Sequence, residues 1–126
     1  MTDRVGRVAK PLALVAAGGF AGATLRWGVS LLAPGLPGTL AANATGSLLL
    51  GVLVYAAVGS SALADDARTL LGTGVLSSFT TYSTFAVQSA SVAPALLVAN
   101  VAANYALGFT GVLVGRAFAV RYGGGP

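Results

Sequence analysis

The sequence predicts a single all-α integral membrane domain over residues 1–126, with four membrane-crossing helices and the third of them broken at mid-membrane. Three observations carry this fold class. The chain is 56% hydrophobic and only 8% charged, with a mean hydropathy of +0.83, whereas a soluble domain carries about 25% charged residues. The charges are also bunched: none lies between Lys10 and Arg26, between Arg26 and Asp65, or between Arg68 and Arg116. A soluble four-helix bundle would need a polar stripe on every helix, and disorder would need the opposite composition. The third observation is a polar cluster, Ser77 to Thr84, inside an otherwise apolar run.

A helix needs about 20 apolar residues to cross the hydrocarbon core, and four stretches qualify. The first runs over residues 11–32 and stops at the Pro34–Pro37 turn. Arg4, Arg7 and Lys10, an apolar run and Ala21-Gly22-Ala23 imitate a cleaved secretory signal. Apolar character resumes after Arg26 and reaches Leu32, so a full span is expected instead. The second span covers 38–58 and ends at Gly59-Ser60-Ser61; the third covers 67–90 and the fourth 94–118, with Gly123–Pro126 read as a frayed tail. Pro11 and Pro94 suit a helix's first turn, where a missing N–H costs little.

Four spans place both termini and the loop between spans two and three on one side. That side holds Arg4, Arg7, Lys10, Arg68, Arg116 and Arg121, while the opposite loops hold no Lys or Arg. By the positive-inside bias, both termini are expected in the cytoplasm.

What is absent bounds the chemistry. There is no Cys, His or Glu, so thiol chemistry and His- or Cys-ligated metals are excluded. The carboxylates Asp3, Asp65 and Asp66 all fall in expected tails or loops, leaving no acid–base pair in the membrane and no expectation of an enzyme. No basic patch interleaved with aromatics marks a nucleic-acid partner.

Seven hydroxyls occupy the eight positions from Ser77 to Thr84. Back-bonding within a regular helix is one account of them. A broken helix lining a polar path is favoured, because irregular backbone at that depth is tolerated only when buried in protein or facing water. Asn43 and Ser47 stand on span two, and Asn100, Asn104 and Tyr105 on span four. Each Asn alone reads as interhelical glue. Together with the hydroxyls they form an interior rich in donors and free of carboxylates, which suits an anion better than a proton or a metal cation. Arg26, beside Trp27, has two readings: snorkelling to the interface, or a fixed charge drawing anions into a vestibule. The spacings Gly18-x-x-x-Gly22 and Gly111-x-x-x-Gly115 point to close helix packing.

On these residues the chain resembles the CrcB/Fluc family of small bacterial fluoride channels over about Gly18 to Gly115. The matching motifs are Gly18-Gly19-x-x-Gly22 with Arg26, Gly38-Thr39-Leu40-Ala41-Ala42-Asn43-x-x-Gly46, and Thr80-Thr81-Tyr82-Ser83-Thr84-Phe85. The resemblance implies a fluoride-selective passive channel in the bacterial cell membrane, built as an antiparallel dimer with two narrow pores. It implies that Asn43 hydrogen-bonds fluoride, that Ser83, Thr84 and groups on span four around Asn104 and Tyr105 form a polar track, and that Tyr82 and Phe85 stand at the pore aromatic positions. It also implies a structural sodium ion, not transported, on the backbone carbonyls of Ser77 and Thr80. The chain departs from the family pattern with Ser77-Ser78 where Gly-Gly is usual, with Tyr82 where a phenylalanine is usual, and with its six-to-zero charge bias. That bias leads to the expectation of a heterodimer with a paralogous subunit of opposite topology. The rival class, proton-coupled small multidrug transporters, needs a membrane carboxylate that this sequence lacks; a non-conducting scaffold subunit is disfavoured by the hydroxyl cluster.

Overall fold

The computed structural model describes residues 2–56 and 62–122, and all of its regular structure is helical. Helix α1 (Thr2–Leu32), α2 (Leu36–Ala56) and α6 (Pro94–Tyr122) are each long and apolar enough to cross a bilayer. Between α2 and α6 the chain forms α3 (Ala62–Ala67), a π-helical stretch (Arg68–Leu76), one further α-turn, α4 (Ser77–Phe79), and α5 (Tyr82–Ala90). The expected turn at Gly59-Ser60-Ser61 and the tail Gly123–Pro126 lie outside the described residues.

Turn chemistry sets the junctions. Gly35 has φ +78°, the left-handed conformation that lets α1 stop and α2 start within a few residues. Pro11 lies inside α1 and not at its start. Residues 5–13 are exposed, so the Arg7 carbonyl that loses its helical donor to Pro11 is not buried. Lys10 pairs with Asp66 at 2.5 Å, tying α1 to the end of α3, and Arg68 stands 3.7 Å from Asp65.

Two close pairings organise the bundle: α2 with α6, and α1 with the π stretch. Small residues make both possible. A Cβ at Gly22 would collide with the Val75 carbonyl, and one at Gly115 with the Leu48 carbonyl. Both glycine spacings therefore act as helix contacts. Gly22→Leu is accordingly expected to force α1 off the π stretch, with an overpacking cost of about 3 kcal/mol or more. Loss of monodisperse protein in detergent and a lowered melting temperature would register it.

The outer surface is apolar, with Phe20, Trp27 and Leu32 among its exposed residues, as a chain facing lipid requires. The chain is a multi-pass membrane protein.

The hydroxyl run does two things. Ser77 and Thr80 bond back to carbonyls one turn earlier, as in a regular helix. At Thr80 (φ −77°, ψ 157°) and Thr81 (φ −149°, ψ 118°), however, the backbone is extended. Helix α5 restarts at Tyr82 with Thr81 as its N-cap, the Thr81 hydroxyl accepting the Thr84 N–H at 3.2 Å.

Candidate functional site

The extended pair Thr80-Thr81 exposes backbone groups that a continuous helix would have satisfied, and a side chain of α2 meets them. Asn43 of α2 accepts the Thr81 N–H at 2.8 Å through Oδ1 and donates to the Thr81 carbonyl at 3.1 Å through Nδ2. Its second amide hydrogen reaches Asn104 Oδ1 on α6 at 3.4 Å. Asn104 donates in turn to the carbonyl and Oδ1 of Asn100, at 2.9 and 3.1 Å, and Asn100 donates to Ser89 Oγ on α5 at 2.9 Å. Three amides thus run from the break across α6 to the far part of α5, and the inner two partners, Asn100 and Ser89, are buried. The resemblance gives Asn43 to fluoride; here both of its amide hydrogens have protein acceptors, and it braces the break.

Arg26 is half-buried and donates through Nε to the Ser78 carbonyl at 3.1 Å, bridging α1 to α4. It also lines a cavity of about 230 Å³ with Thr39, Thr81, Thr84 and Gln88, at the end of the bundle that carries the Gly35 turn. Gln88 Oε1 is buried there with no hydrogen-bond partner. Sequence reasoning passed over Thr39 and Gln88. The available signal was that Gln88 stands one helical turn after Thr84 in an apolar stretch, where an amide needs a partner.

A second concavity of about 160 Å³ gathers Asn43, Tyr82, Phe85, Asn104 and Tyr105. Phe85 is buried, Tyr82 and Tyr105 are exposed, and the Tyr82 and Phe85 rings lie 5.8 Å apart at 49°. Five of the path residues chosen from the sequence therefore share one surface. Thr84 faces the Arg26 cavity instead, its Oγ1 3.0 Å from that of Thr81, while Ser83 is exposed and lines neither concavity.

Ser77 and Thr80 line a third, open concavity of about 360 Å³ with Gly46 and Ser47. Hydrogen-bond accounting tests whether they suit a sodium ion. In a continuous helix the Ser77 carbonyl would accept from Thr81 N–H and the Thr80 carbonyl from Thr84 N–H. Here Asn43 takes the first donor and the Thr81 hydroxyl takes the second. Both carbonyls lose their helical donors, and neutral oxygen ligands are the right type for a hard cation. The donor set fits, and the serines standing in place of glycines do not remove it.

Residues 13–116 match the family described as CrcB-like protein, Camphor Resistance (CrcB). The chain is 63% identical over 112 residues to "Fluoride-specific ion channel FluC 2" of Halobacterium salinarum, covering 88% of each chain. It is 53% identical over 114 residues to "Fluoride-specific ion channel FluC 1" of Haloarcula marismortui, covering 90% of this chain and 89% of the relative. It is 42% identical over 105 residues to "Fluoride-specific ion channel FluC 2" of Methanosarcina mazei, covering 83% of each. No solved structure matches. These three relatives come from archaea, so of the expected setting the multi-pass membrane placement stands and the bacterial attribution does not. A match over most of the chain, with relatives this similar along nearly their whole length, establishes that the chain belongs to the CrcB-like family.

Proposed function

We propose that this chain is a subunit of a passive, fluoride-selective channel that lets fluoride leave the cytoplasm and so limits its toxicity. The observation that carries this reading is the concavity of Asn43, Asn104, Tyr82, Phe85 and Tyr105, where amides and aromatic rings converge with no carboxylate among them. The printed names of the relatives support the choice of fluoride.

In this reading the segment 67–90 is the third of four crossings, broken at Thr80-Thr81, and two subunits pack antiparallel with both termini of this chain in the cytoplasm. Arg26 supplies positive potential at one mouth, in a cavity that Thr39, Thr81 and Thr84 line with hydroxyls. The Tyr82 and Ser83 N–H groups, in the first turn of α5, have no carbonyl one turn back and add partial positive charge near the path. The Asn43–Asn104 bond is long at 3.4 Å, so it is the contact most readily exchanged for fluoride, while the shorter pair to Thr81 keeps the break in place. Phe85 presents its ring edge, where the quadrupole is positive. The hydroxyls of Ser83, Thr84 and Tyr105 continue the track. Each contact is weak, as conduction requires, since an ion must leave as readily as it arrives. Ser77 and Thr80 would hold a sodium ion through their backbone carbonyls, and that ion, when bound, supplies fixed positive charge beside the break and is not transported.

A second reading concerns the partner. Six basic residues on one side against none on the other favour one inserted orientation. Relatives named FluC 1 and FluC 2 support paralogous subunits. The chain is then one half of an antiparallel heterodimer, and the other half carries the inverted charge bias. Reconstituted alone in liposomes, it is expected to give little fluoride efflux at a fluoride electrode, rising at least tenfold with a co-reconstituted paralogue. Robust efflux from this chain alone would sink the heterodimer and keep the channel; absence of efflux in both preparations would sink the channel.

A further inference from the structure

Near its C-terminal end, α6 places Leu113, Arg116, Ala117, Val120 and Arg121 at positions i, i+3, i+4, i+7 and i+8, which is one helical face. These residues line an open groove of about 420 Å³. Its walls combine the aliphatic residues Leu113, Ala117 and Val120 with the side chains of Arg116 and Arg121. Arg116 is held by the Tyr55 ring of α2, with its guanidinium carbon 5.2 Å from the ring centroid, and Arg121 lies 5.7 Å from the centroid of Tyr122. Neither arginine pairs with a carboxylate among the described residues; the ion pairs present engage Asp65 and Asp66 with Arg68 and Lys10. Arg116 lies 22 residues beyond Pro94, about 33 Å along the axis, just past a hydrocarbon core of about 30 Å. Arg121 stands about 7.5 Å further out, at headgroup depth.

We propose that this groove binds one anionic phospholipid, its phosphate between Arg116 and Arg121 and an acyl chain along Leu113, Ala117 and Val120. Charge complementarity selects the occupant. A second copy of this chain does not supply it: packed antiparallel it brings an end with no acidic residue, and packed parallel it brings like charge. A zwitterionic lipid carries an ammonium that the arginines repel. An anionic phosphate matches two planar guanidinium forks and leaves the apolar floor covered.

The test uses the full chain, reconstituted in an equimolar mixture of phosphatidylcholine and phosphatidylglycerol, extracted in mild detergent, and weighed by native mass spectrometry. At about fivefold per arginine, the preference for phosphatidylglycerol is expected to reach about twenty-five-fold. Arg116→Gln with Arg121→Gln should abolish it, while Arg116→Lys with Arg121→Lys should keep most of it and show that the groove still folds. Arg7→Gln with Lys10→Gln, which removes equal charge elsewhere at the same end, should leave it intact. Equal retention of both lipids by the unaltered protein would overturn the proposal, as would an equal loss in the Arg7/Lys10 variant. Displacement of the lipid by millimolar inorganic phosphate would also overturn it, since that points to a free-anion site.

Discussion

Asn43→Ala is expected to silence fluoride efflux and to destabilise the protein by about 1–3 kcal/mol. The stability estimate comes from the one donor the truncation strands. The Thr81 N–H is satisfied by Asn43, and a backbone donor left without a partner away from water costs about 1–3 kcal/mol. That donor has no helical alternative, because Thr81 is the extended N-cap residue of α5; its carbonyl, by contrast, keeps the first bond of that helix. The effect on flux follows from position: Phe85 and Thr84 are carried on the helix that starts one residue later, so an unpinned Thr81 lets both drift. Hydrogen exchange separates this brace from a pure ion ligand. If Asn43 only contacted the ion, Asn43→Ala would lose efflux while the Thr81 amide stayed protected; the geometry requires protection to fall as well. Asn43→Asp should also be silent. It keeps an acceptor for the Thr81 N–H but sets a negative charge against the Thr81 carbonyl and in the path of an anion.

The crossing helices were legible because length and hydropathy decide them locally: α1, α2 and α6 are apolar runs with punctuation at Gly35 and Pro94. The run Ser77 to Thr84 marked the place of the interruption for a similar reason, since hydroxyl side chains compete with the helical ladder. The π stretch over Arg68–Leu76 left no comparable trace, because its residues, RTLLGTGVL, serve equally well in an α-helix. Long-range partners were also out of reach. Arg26 finds the Ser78 carbonyl 52 positions away, and Asn43 finds Thr81 38 positions away. Those distances depend on how closely α1 and α2 approach the interrupted segment, which the glycines permit but do not specify. The sequence offered Arg26 as either a snorkelling or a vestibule residue. In the fold it reaches inward to a backbone carbonyl while still lining a cavity, so one side chain braces the break and charges the mouth.

Phe85→Ile separates ring electrostatics from packing. Phe85 is only 9% exposed, and isoleucine retains most of the apolar volume, so the fold should survive with a loss of about 1–2 kcal/mol. What isoleucine lacks is the positive ring edge. Edge contacts between aromatic rings are worth about 0.5–1.5 kcal/mol; an ion contact of that size is about two- to tenfold in occupancy of a transit site, and efflux is expected to fall that far. Tyr82→Phe should behave in the opposite way. Tyr82 is 76% exposed and its hydroxyl makes no hydrogen bond among the described residues, so removing that group costs the fold little and leaves the ring beside Phe85. Efflux should then match or exceed that of the unaltered chain, measured with the same paralogous partner. If Phe85→Ile conducts normally while folding normally, the ring is packing and not path. If Tyr82→Phe loses flux as heavily, the phenol hydroxyl and not the ring edge is what the ion meets at position 82, and the aromatic account of this surface fails.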